Sequence, residues 1–222
     1  MDEARSIDAP KHGTIVRAAF QRNGRGRVEG RSWEAERDGN LLCTAVFDRE
    51  RFDFPQQRLP ILAGVAVAWT VESVTSRDAE IKWPNDVLVD RSKIAGVLCE
   101  ADSEHIYVGI GLNCNQIAFS NNLRTPAVSI RLIRGEEVEI NTVCETLFAD
   151  VYRAIVSPDW RQELESRLFL RGQNATIERD SSAGLATEVV TIVGIAADGA
   201  LRVRDASGDL DSIYAGEVTF KS

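Results

Sequence analysis

Hydrophobic and polar positions follow two textures along the chain. Before Gly172, short apolar runs alternate with two long ones, and after it every run is short. His12 to Phe20 reads as a strand that ends in a glycine- and arginine-rich stretch, 21–27, with neither helical nor strand periodicity. Leu41 to Phe47 is a second short apolar strand. Leu59 to Val74, rich in Ala, Val and Leu, is long enough for a buried helix, although its valines lower helix propensity. Ile81 to Pro84, Asp86 to Val89, Lys93 to Glu100 and Ile106 to Leu112 follow as strand segments on short connections, which favour antiparallel pairing. In Asn141 to Val156 the spacing of Val143, Leu147, Val151 and Ile155 predicts an amphipathic helix with Asn141 as its N-cap. A further helix is predicted from Trp160 to Leu170.

Beyond Gly172 the short strands Ala175–Ile177, Glu188–Ile195, Ala200–Arg204 and Asp211–Tyr214 are punctuated by Asp198-Gly199 and Ser207-Gly208. The pattern predicts an α+β protein. Residues 1–171 would form a mixed β-sheet with helices, and 172–222 a small β-barrel.

Composition narrows this picture only modestly. The chain has 222 residues, 44% of them hydrophobic and 27% charged, enough apolar material for a core without disulfides or structural metal. No apolar run approaches the roughly 20 residues that span a bilayer, and the N-terminus lacks a basic-then-apolar signal, so a cytoplasmic location is expected. Cys43, Cys99, Cys114 and Cys144 are far apart in apolar runs without CxxC pairs, which points to free thiols rather than zinc ligands. The net charge of −8 argues against a general nucleic-acid surface. Yet Arg17, Arg22, Arg25, Arg27 and Arg31 face one acid, Glu29, between positions 17 and 31, which suggests a local anion site.

Three segments carry candidate chemistry. In Gly24-Arg25-Gly26-Arg27 the glycines let backbone N–H groups approach an anion while the guanidinium forks bind its oxygens. The segment lacks the Gly-x-x-x-x-Gly-Lys-Ser/Thr pattern, so it is not a nucleotide P-loop, and a solvated basic loop would read the same way. In Lys82-Trp83-Pro84-Asn85-Asp86 a proline and two polar residues interrupt an apolar strand, as when a strand lines a cavity. Lys93 stands before the following strand, and Gly96 within it leaves room for something packed closely. A hairpin with ordinary surface charges is the plain alternative. Gly109 and Gly111 weaken a strand, which suits close approach of a ligand or simply a bend in the sheet.

In order and spacing these segments resemble the biotin protein ligases. That family's pattern is a Gln, Gly-Arg-Gly-Arg and a Trp, then Lys-Trp-Pro-Asn-Asp, Lys-x-x-Gly-x-Leu-x-Glu and Gly-x-Gly-x-Asn. It is met here by Gln21, Gly24–Arg27, Trp33, Lys82–Asp86, Lys93–Glu100 and Gly109–Asn113. Asp198–Leu201 and Tyr214–Val218 resemble the family's terminal barrel. The resemblance implies a synthetase-like catalytic domain with an SH3-like barrel after it. It also implies a two-step reaction, in which biotin and Mg-ATP give biotinyl-5′-adenylate and pyrophosphate, and a lysine of a biotin carboxyl carrier domain then takes the biotinyl group. Lys93 would bridge the biotin carboxylate and the α-phosphate. Arg25 and Arg27 would hold phosphate and order the loop, and Gln21, Gly24 and Gly96 would contact biotin. Trp33 would pack on adenine, Asn85 and Asp86 would place nucleotide or Mg2+, and Asn113 would contact the adenylate. Asp86 would also help to deprotonate the incoming lysine, and a family-like homodimer through sheet edges is a further implication.

Two departures from the family pattern are visible. Gly30-Arg31 makes the loop before Trp33 one residue longer. The family's opening strand, whose Ser-Thr pair holds the polar ring of biotin, has no counterpart ahead of Met1-Asp2-Glu3, and a start at an internal methionine is the expected reason. A lipoate or octanoate ligase, a non-catalytic biotin-dependent regulator and a biotin-binding remnant are the competing readings.

Overall fold

A computed structural model describes residues 1–28, 30, 32–55, 58–181 and 184–219. Glu29 and Arg31 of the basic segment lie outside the described residues. The first sheet has six strands: β1 (Thr14–Ala18), β2 (Asn40–Asp48), β3 (Glu80–Lys82), β4 (Asp86–Val89), β5 (Ser92–Ala101) and β6 (His105–Asn113). Their spatial order is β1-β2-β6-β5-β4-β3, and every ladder is antiparallel. Hairpins too short for a crossover join β3 through β6, which dictates that pairing. The parallel part of the expected mixed sheet is confined to two isolated bridges, Ile81–Leu168 and Lys93–Ala127.

One face of this sheet is covered by α2 (Leu59–Thr75), with α4 (Ile140–Val156) packed on α2 and β2. Pro60 sits in the first turn of α2, where a missing N–H costs nothing, and Ser76 closes the helix in the left-handed region. Twelve of its 17 residues are buried, including Thr70, so α2 is enclosed on nearly all sides rather than amphipathic. The Thr70 hydroxyl is satisfied there by the Ala66 carbonyl and the Asp150 carboxylate of α4. Leu62, Val65, Val87, Ile94, Val97, Val108 and Ile110 join one continuous core, each large side chain adding roughly 1.5–3 kcal/mol.

The helix α4 starts one residue before its predicted cap. Glu139 is the N-cap, without a side-chain hydrogen bond, and Asn141 lies inside the first turn, where its carboxamide oxygen accepts from the Arg17 guanidinium. Ile140 is buried, which draws the helix start forward. Likewise α5 (Trp160–Arg167) stops short of Leu170. Leu168 and Phe169 leave it to join β3, the Phe169 N–H donating to the Ile81 carbonyl at 3.0 Å. Two short helices add to the set. In α1 (Asp2–Arg5), Ala4 is buried against Val46 and Tyr107, and α3 (Ile130–Arg134) is capped by Ser129.

The second sheet comprises β7 (Asn174–Ser181), β8 (Gly184–Ile195), β9 (Leu201–Arg204), β10 (Leu210–Ile213) and β11 (Glu217–Thr219), in the order β10-β9-β8-β7-β11. It docks against the first through polar bonds. The Trp83 Nε1–H donates to the Gly199 carbonyl, Arg58 to that of Ala197, and Arg124 bridges Glu178 and Glu217.

Candidate active site

The face of the six-stranded sheet turned away from α2 forms the floor of a cavity of about 620 Å³. Paired residues lie on one face of a sheet. One row therefore runs across all six strands: Ala18, Leu42, Gly111, Gly96, Asp86, Lys82. Beside it lies Val16–Thr44–Gly109–Leu98. The first row is bare at its centre and charged at one end.

Lys93 joins that end by an irregularity. It stands three positions before Gly96, so in a regular strand the two would face opposite ways. Instead Val87 opposes Ala95 while Leu88 opposes Lys93, which leaves Ile94 as an extra residue and turns Lys93 onto the cavity face. There its Nζ lies 2.7 Å from Asp86 Oδ1. The Lys93 backbone is fixed by its N–H to the Pro126 carbonyl and by the Val128 N–H to its own carbonyl.

The glycine floor holds the Trp33 indole. A Cβ on Gly111 would fall 2.6 Å from Trp33 Cε2, and one on Gly96 would fall 3.1 Å from Cζ3. Lys93 Nζ stands 5.4 Å from the ring centroid. Trp33 Nε1–H is buried without a hydrogen-bond partner among the described residues. The loop carrying it is pinched where the Trp33 N–H donates to the Gly24 carbonyl, and a side chain at Gly24 would collide with the Trp33 carbonyl at 2.3 Å. The isolated bridge Arg25–Ser32 tightens the same loop, which the sequence pattern left without structure. Met1 rests its Cε over Gly109, 2.7 Å from where a Cβ would be.

The other expected site residues divide into two groups. Gln21, Arg25, Arg27, Trp33, Asn85, Asp86, Lys93 and Gly96 line the cavity, and Gly24 lines the shallower groove beside it. The Arg25 guanidinium pairs with Asp2 at 2.8 Å and approaches Glu100 at 3.8 Å, and Arg27 donates to the Gly216 carbonyl of the second sheet. Asn113 lies apart. Its amide donates to the Val128 and Lys93 carbonyls at 3.0 and 3.4 Å, so it staples the strand start that carries Lys93. Asn85 is a staple too, donating to the Val97 carbonyl while its own carbonyl accepts from the Val97 N–H. Both asparagines set where Asp86 and Lys93 stand.

Among the cavity-lining residues to which the sequence reading gave no role are Lys82 and Glu217. Lys82 is only 4% exposed, and burial pushes its ammonium below the usual lysine range, with Asp86 and Glu217 pulling the other way. The signal was available: in a hairpin turning at Trp83–Asn85, Lys82 must oppose Asp86. The thiols are poor nucleophiles. Burial raises Cys43, Cys99 and Cys144, and Cys114 is pushed up to about 12; all four are free.

Residues 1–113 match the Biotin/lipoate A/B protein ligase family, and 183–221 match the Biotin protein ligase C terminal domain. The chain belongs to the Biotin/lipoate A/B protein ligase family. Within it, a bifunctional ligase/repressor BirA of Bacillus spizizenii is 33% identical over 147 residues, 62% of this chain and 44% of that protein. A biotin--[acetyl-CoA-carboxylase] ligase of Paracoccus denitrificans is 29% identical over 179 residues, 76% of this chain and 71% of its own length. The chain thus spans under half the length of the Bacillus relative. A biotin protein ligase from Aquifex aeolicus, solved with biotin and ATP, shares the fold at a TM-score of 0.85 with 24% identity, covering 100% of this chain and 94% of that one. No group of three His, Cys, Asp or Glu able to hold a metal occurs among the described residues. No helix among them is long and apolar enough to cross a membrane.

Proposed function

We propose that this chain activates biotin with ATP to biotinyl-5′-adenylate, releasing pyrophosphate, and passes the biotinyl group to a lysine of a biotin carboxyl carrier domain such as that of acetyl-CoA carboxylase. The observation that carries this reading is the row across the sheet, a glycine floor ending in the Lys93–Asp86 pair at 2.7 Å. Bringing a carboxylate to an α-phosphate opposes two anions, so a cation must stand between them, and Lys93 is held beside the floor to do so. Gln21, Gly24 and Gly96 would contact the acid. Arg25 and Arg27 would take phosphate, shielding a hydrolysable anhydride from water. Trp33 would exchange the floor for the adenine face, Asn85 and Asn113 would hold the site's geometry, and Asp86 would receive the proton of the incoming lysine. Mg2+ would belong to this reading as the counter-ion of ATP, where it would neutralise phosphate charge, and Asp86 would be the residue of the chain that helps to hold it. The supporting relatives are ligases by name, and the exposed edge of β1 suits a homodimer or the carrier.

The test is direct. Chain, ATP and Mg2+ are incubated with biotin, lipoate or octanoate, and adenylate and pyrophosphate are measured. Biotinyl-adenylate is expected. Turnover of lipoate or octanoate alone would move the assignment to the lipoate branch, and biotin binding with no adenylate would leave a binding remnant.

A further inference from the structure

Lys82 closes the row that crosses the sheet, opposite Asp86 in the β3–β4 hairpin. It lines the cavity and is 4% exposed. The two carboxylates that bear on it each have another cation: Asp86 pairs with Lys93 at 2.7 Å and Glu217 with Arg124 at 3.2 Å. Lys82 itself forms no hydrogen bond or ion pair among the described residues. A cation that lines a cavity without a protein partner suits an anion that arrives with the ligand.

We infer that Lys82 is a second phosphate-binding cation of the cavity, and that Glu217, reaching in from the C-terminal sheet, is the residue that positions it. This deepens the ligase reading above and rests on it for the identity of the anion. Adenylation forms a bond from a carboxylate oxygen to the α-phosphorus and breaks the bond to the β-phosphate oxygen, and pyrophosphate leaves with the electron pair. Negative charge therefore builds in two places, on the anions being joined and on the departing pyrophosphate. Asp86 on β4 has a lysine from each neighbouring strand beside it, Lys93 from β5 and Lys82 from β3, so two cations are available for two tasks. Glu217 lines the same cavity as Lys82. Arg124 in turn ties Glu217 to Glu178, and Arg27 binds the Gly216 carbonyl next to it, so the strand bearing Glu217 is held at the cavity mouth. The second sheet thereby contributes to the site rather than merely following it.

The experiment uses the full chain with Lys82→Met, Lys82→Arg and Glu217→Gln. Lys82→Met keeps the volume without the charge, so it should fold at least as well as the parent. Calorimetry with inorganic pyrophosphate alone and with biotin alone is paired with ATP–pyrophosphate exchange. Lys82→Met is expected to weaken pyrophosphate binding by about 10- to 100-fold, the worth of a charge-assisted hydrogen bond, while biotin binding stays within about three-fold. Lys82→Arg should recover part of the loss. Glu217→Gln should raise KM for ATP more than it lowers kcat. Unchanged pyrophosphate binding in Lys82→Met, or equal losses of biotin and pyrophosphate binding, would overturn the assignment. A parent chain that binds pyrophosphate through Lys82 yet makes no adenylate would refute the ligase reading and leave the phosphate site standing.

Discussion

The two faces of the six-stranded sheet are built from the same strands and have opposite aims. On one, Cys43, Ala45, Ala95, Val97, Val108 and Ile110 are packed beneath α2 and α4 and are almost wholly removed from water. On the other, the alternate residues Leu42, Thr44, Gly96, Leu98, Gly109 and Gly111 surround a cavity. Strand periodicity alone would give both faces side chains. Glycine on one face gives up packing energy to leave space, and the apolar face must supply the stability that the open face lacks. The cost is visible where Trp33 lies on the bare floor with its N–H unsatisfied among the described residues.

The strongest test of this division is Lys93→Ala on the open face. Adenylate synthesis should fall by about 10²–10³-fold, the usual loss for a group that stabilises developing charge, with the melting temperature shifted only slightly. Near-normal synthesis would remove Lys93 from its role. Next in size is Ile106→Ala on the packed face. It should cost about 2–5 kcal/mol in a denaturant titration, the range for truncating a large core side chain, while biotin affinity in the folded fraction is unchanged. A comparable loss of affinity with little loss of stability would mean that the two faces are not separable.

The packed face was legible in the sequence because period-two alternation and the long Ala/Val/Leu run both report burial. So were the elements of the open face, since Lys82–Asp86 and the glycines mark a strand that lines something. What the pattern could not give was geometry that depends on pairing. The extra residue at Ile94, which turns Lys93 toward Gly96, exists only through the register of β4 against β5. Asn85 and Asn113 enter as nucleotide contacts only through the family resemblance, and pairing shows besides that their amides donate to the carbonyls of Val97, Val128 and Lys93. Asn141 looked like a cap because local chemistry favours it there, and the long-range partner Arg17 and the burial of Ile140 outweighed that preference.

Gly111→Ala sharpens the comparison from within the open face. The added methyl would lie 2.6 Å from the indole, so Trp33 must move, while the strand itself tolerates alanine. Stability should change by less than about 1 kcal/mol, with Trp33 fluorescence shifted and biotin affinity reduced about ten-fold, the equivalent of ~1.4 kcal/mol. Unaltered emission with full affinity would show that the floor is not a ligand seat.

The smallest expected effect is the most specific. Trp33→Phe keeps a flat ring over Gly96 and Gly111 and removes the buried N–H that lacks a partner. An unsatisfied buried donor costs roughly 1–3 kcal/mol, so its removal should leave stability unchanged or raise it by up to about 1 kcal/mol once the lost ring area is offset. If that N–H finds an acceptor only when ligand enters, the same change should weaken adenylate binding a few-fold, measured by calorimetry with a non-hydrolysable adenylate analogue. Stability and affinity would then move in opposite directions at one atom, as they should where a protein keeps a donor unsatisfied at rest for use on binding. A loss of stability in Trp33→Phe would mean instead that the indole is part of the packed core, and the contrast between the faces would end at Gly111.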